Sequence, residues 1–126
     1  MVTQKRNNMI QLLWQKCQGD VWGSFLNVDL SHNHFDNMEG VYVIWQGRGP
    51  VVRVGQGFVR DRVADHRTNR AVTRYNNLYV TWASVPAIYR DGVERYLADT
   101  LKPVVGDAFP DVTPISVNLP ESCRIS

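Results

Sequence analysis

The sequence predicts a small α+β domain: a three-stranded antiparallel sheet flanked by helices, with one additional helix at the N-terminus. Three observations carry that prediction. Runs rich in Val, Ile and aromatics, bounded by glycines, mark strands near 40–46 and 50–55, and NLYVTWAS alternates like a third at 77–84. Apolar residues recur at helical spacing before, between and after these runs. With 126 residues, 44% of them apolar and 21% charged, the chain has room for one domain with a single core.

Taken in order, Met9, Ile10, Leu13, Trp14 and Cys17 fall near helical spacing and predict an amphipathic helix over 4–18, ended by Gly19 and Asp20. Residues 20–38 show no sustained period and read as an extended arm. The next two strands are joined through Gln46-Gly47-Arg48-Gly49, a hairpin whose loop is Gly47-Arg48. Glycine in first position favours a type II′ turn. Pairing Gln46 with Gly49 would set Tyr42 directly opposite Arg53 on one face of the sheet. Gly55 and Gly57 then release the chain into a helix over about 58–68, where Arg62 and His66, four apart, share a face. The run AIYRDGVERYLADTLKP reads as a second helix stopped by Pro103. Within it Asp91 and Glu94 also fit a capping box, which would give Glu94 a structural role. The tail is punctuated by Pro110, Pro114 and Pro120, with room for a short strand near Ile115 to Val117. The expected organisation is a helix and arm over 1–38, a core over 39–106 and a packed tail over 107–126.

Charge is modest overall, +2, but unevenly spread. Arg48, Arg53, Arg60, Arg62, Arg67, Arg70 and Arg74 fall between residues 48 and 74, opposed there only by Asp61 and Asp65. Arginine presents a rigid fork of donors suited to phosphate oxygens. Such a cluster fits a solvated helix face or a nucleic-acid backbone site, and charge alone does not separate the two. No apolar run approaches the ~20 residues that span a bilayer, and MVTQKRNNMIQLLW is too short in its apolar part for a signal peptide. The expectation is a soluble cytoplasmic protein without a membrane partner, with Cys17 and Cys123 as free thiols. His32, His34 and Asp36 have a spacing that could hold a metal, although a polar loop accounts for them better. Gly55-Gln56-Gly57 lacks the Lys-Ser/Thr that a phosphate-binding loop needs.

Gly40-Val41-Tyr42, followed after ten intervening residues by Arg53-Val54-Gly55, resembles the paired motifs that name the GIY-YIG nucleases. The resemblance continues in order through Arg62, His66, Glu94 in VERYL and Leu101-Lys102-Pro103, and covers roughly 39–106. It implies hydrolysis of phosphodiester bonds in DNA, RNA not excluded, with one Mg2+ or Mn2+. By the same resemblance Glu94 would hold the metal, Tyr42 would serve as general base or proton relay, Arg62 would bind the scissile phosphate and His66 would assist. Arg48, Gln56, Arg60, Arg67, Arg70 and Arg74 are then candidates for contact with the nucleic acid. A homodimer would pair two single-strand cutting sites. Two positions depart from the family pattern: Arg53 stands where a tyrosine is expected, and Gly106 where an asparagine is. Arg53 would either activate Tyr42 by its charge or bind phosphate beside it. The alternative is a weakened module that binds nucleic acid without cutting it.

Overall fold

The structure is a computed structural model that describes residues 9–106 and 108–121. It is α+β, and its antiparallel sheet has four strands rather than three. The strands are β1 (Gly23–Ser24), β2 (Glu39–Gln46), β3 (Val51–Phe58) and β4 (Leu78–Ser84), in the spatial order β1-β4-β2-β3. The helices are α1 (Val59–Arg67), the single turn α2 (Arg70–Thr73) and α3 (Ala87–Leu101). The added strand is only two residues long, and it exists because Gly23 and Ser24 pair with Val80 and Tyr79. No local sequence pattern could announce such a partner-dependent strand.

The predicted N-terminal helix is not present over residues 9–18; the earlier part of that prediction, 4–8, lies outside the described residues. The segment is extended instead. Its apolar residues fit two periods, and the alternating one prevails: Ile10, Leu12 and Trp14 pack on the core while Leu13 is 77% exposed. Its backbone is satisfied by distant partners. Ile10 donates to the Ser116 carbonyl, Gln15 to that of Trp82, and Leu12 exchanges hydrogen bonds with the Asn118 side chain. The tail strand expected near 115–117 appears as a single bridge between Val117 and Ile10.

The hairpin also differs from expectation. Gln46 donates to the carbonyl of Pro50, so the loop takes in Gly49 as well as Gly47 and Arg48. The register then shifts between Ile44 and Trp45. Tyr42 consequently faces Gly55, and Arg53 faces Ile44. The slip is two residues, so side-chain parity survives and Arg53 remains on the Tyr42 face, one step along the diagonal.

Two layers cover the sheet. On one face α3 packs its stripe of Val93, Leu97 and Ala98 against Val41, Val43, Trp45 and Val54. On the other, Val59 and Val63 of α1 and Val72 of α2 meet Tyr42, Ile44, Val52, Val80 and Trp82. The arm joins this second layer through buried Phe25 and Phe35. A short 3-10 turn, Asn33–Phe35, places His34 where its Nε2 accepts from Trp82 Nε1 at 3.0 Å. Helix α3 ends in a left-handed Lys102 (φ 50°) just before Pro103. The chain then runs along the outer side of edge strand β3, with Val104 and Val105 donating to the carbonyls of Val51 and Val52. No helix among the described residues is long and apolar enough to cross a membrane.

Candidate active site at the edge of the sheet

Tyr42 lies in the buried centre of β2, yet its hydroxyl reaches the β3 edge. It can do so because residue 55 is a glycine: a Cβ there would overlap the Tyr42 ring and hydroxyl. From the same face α1 brings in His66, one turn beyond Arg62, and the Tyr42 hydroxyl and His66 Nε2 lie 2.6 Å apart. Burial pushes the imidazole down to about 4, and the charges of Arg53 and Arg62 push the same way. The ring is therefore neutral at pH 7. A phenol is more acidic than an imidazole N–H, so the hydroxyl is the donor and Nε2 the acceptor.

Burial raises the Tyr42 hydroxyl above its ordinary value of 10.0, with Arg53 and Arg62 pulling it back by charge and Glu94 adding to the rise. The charge of Arg53 favours the phenolate, but desolvation outweighs it. A standing phenolate is ruled out as the resting form near neutral pH.

Glu94 comes from the opposite layer. It is only 7% exposed, on the apolar stripe of α3. The capping-box role is overturned: α3 begins at Ala87 with Pro86 in the cap position, which leaves Asp91 and Glu94 inside the helix. Gln56 Nε2, from β3, donates to both Glu94 Oε1 and Asp91 Oδ1 at 2.7 Å. Burial raises the Glu94 carboxyl above its ordinary value, while the Gln56 hydrogen bond and Arg53 oppose the rise. Asp91 was overlooked as a site neighbour. The signal was present, since positions three apart in a helix share a face, but a cap reading absorbed it.

Arg53 sits between the two layers, and its charge acts on Tyr42, His66 and Glu94 alike. Arg62 is more peripheral. Its stem lies near Gly57, its head is 45% exposed, and it forms an ion pair with Asp65. Of the remaining arginines, Arg60 and Arg67 are engaged with the arm. Arg60 donates to the carbonyls of Leu30 and His32 and pairs with Asp36, and Arg67 donates to the carbonyls of Phe25 and Val28. Arg48 at the hairpin tip and Arg70 and Arg74 around α2 are exposed. His32, His34 and Asp36 are spent on a turn cap, on Trp82 and on Arg60, and form no common ligand set. Among the described residues no three His, Cys, Asp or Glu side chains cluster as a metal cage.

No family model, curated protein or solved structure matches this chain. Its functional reading rests on the motif resemblance and on this geometry.

Proposed function

We propose that the protein is a metal-dependent phosphodiesterase that cuts DNA, with Tyr42 and His66 moving the proton of the attacking water and Glu94 holding the cation. The observation that carries this reading is the meeting of a neutral Tyr42–His66 pair from one layer with a buried carboxylate, Glu94, from the other.

Each part fits the chemistry. Water attacking phosphorus must lose a proton. The Tyr42 oxygen can accept it as the phenol passes its own proton to His66 Nε2, so neither group needs to be charged at rest. His66 stays neutral above about pH 4 and is available as the acceptor. The donor set suits a hard cation. Glu94 and its neighbour Asp91 offer carboxylate oxygens, and Glu94 forms no ion pair among the described residues. Mg2+ usually keeps several waters and needs few protein ligands, so one or two carboxylates suffice. Such a cation would supply charge stabilisation at phosphorus. Exposed Arg70 and Arg74, with Arg62 beside them paired to Asp65, suit contact with a nucleic-acid backbone on the α1–α2 side.

Supercoiled plasmid incubated with the protein in Mg2+ or Mn2+ is the direct test, with Glu94→Gln and Tyr42→Phe alongside. Metal-dependent nicking by the wild type, lost in both variants, is the expected result. Salt-sensitive DNA binding without cutting by any of the three would replace this reading with a binding module.

A further inference from the structure

The two positions that depart from the family pattern, 53 and 106, touch each other. Gly106 has φ +99°, a left-handed conformation that side chains rarely adopt. A Cβ at 106 would also overlap Arg53 Nη1 and come within 2.9 Å of its Cζ. The guanidinium therefore lies directly against the bare Cα of Gly106, and a side chain there would have to displace it. The neighbouring chain segment is held against β3, since Val104 and Val105 donate to the carbonyls of Val51 and Val52, the two residues just before Arg53. The Phe109 ring flanks the cation at 5.9 Å.

A guanidinium seated this firmly is normally satisfied by a carboxylate or carbonyls, as Arg60 and Arg67 are. Arg53 has neither. Its charge and a hydrogen bond act on the Tyr42 hydroxyl, but its Nε is shielded from solvent without a partner, and no carboxylate among the described residues reaches ion-pair distance. A buried donor left open on a cation is costly unless an acceptor arrives to complete it. Arg62, the arginine that the motif alignment puts on the phosphate, already has an anionic partner in Asp65.

We propose that Arg53, seated by Gly106, is the guanidinium that grips the scissile phosphodiester, and that Arg62 serves the flanking backbone. The inference rests on the nuclease reading for its substrate class and deepens it. The substitutions at 53 and 106 form one device, not two separate losses, because the guanidinium takes this position against the space that a side chain at 106 would fill.

Dimethyl phosphate and inorganic phosphate provide probes that need no turnover. Titrated into the full chain, either should produce a saturable shift of the Arg53 Nε–H resonance, assigned by its loss in Arg53→Lys. Arg53→Lys keeps the charge but not the fork, and should bind at least about tenfold more weakly. Gly106→Ala should do the same if its melting temperature shows it folded, and Arg53→Lys suffices if it is not. Wild-type affinity in Arg53→Lys, or saturation at Arg62 with Arg53 unmoved, would overturn the proposal. Plasmid nicking run in parallel separates the two claims. Binding at Arg53 without nicking keeps the anion socket and removes the nuclease, whereas nicking at full rate by Arg53→Lys does the reverse.

Discussion

The two faces of the sheet solve the problem of burying polar groups in opposite ways. On the α1 face, Tyr42 and His66 are neutral and satisfy each other, so desolvation costs little beyond the hydrogen bond that repays it. On the α3 face, Glu94 is a carboxylate set among Val93, Leu97 and Ala98, with a neutral amide as its nearest partner. The first arrangement is comfortable at rest and the second is not. A group held at a cost in the free protein points to what the site takes up when it works.

The largest expected effect tests the comfortable face. Tyr42→Phe and His66→Gln should each lower metal-dependent nicking by about 10²–10⁴, the usual contribution of a positioned acid–base group. Full activity in His66→Gln beside a dead Tyr42→Phe would break the pair and leave the phenol acting alone.

Next comes the packing that holds the faces together. Leu97 is fully buried, and Leu97→Ala should cost about 2–5 kcal/mol in urea unfolding. In the N-terminal segment Leu12→Asp should destabilise clearly and Leu13→Asp hardly at all. A helix over 4–18 would not draw that line between neighbours.

The costly face makes a pH-dependent prediction. Because the folded carboxyl of Glu94 is raised above its ordinary value of 4.5, its protonated form favours folding, and that stability is lost as pH rises through the folded value. Glu94→Gln should therefore melt higher than the wild type at pH 7. The gap should close towards pH 4. Added Mg2+ should raise the wild-type melting temperature and leave the variant unmoved.

The pH dependence runs the other way on the α1 face. His66 titrates near 4 in the folded protein against 6.5 in a free chain. Its neutral ring therefore lends stability in full above about pH 6.5, and that stability is lost as pH falls through about 4. Urea midpoints measured across that window should flatten in His66→Gln. An unchanged slope would show that His66 is accessible and ordinary.

The hairpin, β4, α1 and α3 were legible because β-branched runs, glycine punctuation and Pro103 act locally. What escaped was decided by contacts far away in sequence. Ile10, Leu12 and Trp14 match a strand as well as their neighbours match a helix, and only the tail and β4 choose between them. The hairpin register depended on a shift near Val52 that no turn rule foresees. Of the candidate site residues, motif order along the chain singled out Tyr42, His66 and Glu94, and the fold brings Tyr42 and His66 into contact. The seat of Arg53 against Gly106 could not be read this way, since it is a property of two segments lying side by side.

The join between residues 10–14 and 116–118 bears on how the molecule comes into being. Asn118 bonds to Leu12 and Trp14 across 106 and 104 residues of chain. Closing a loop of that length is among the most entropically expensive contacts the domain makes. A chain emerging from the ribosome N-terminus first must therefore hold Trp14 and Leu12 without their final partners until residue 118 has been made. Stopped-flow refolding should show the sheet and α3 forming before the indole of Trp14 is buried, with this seam closing last.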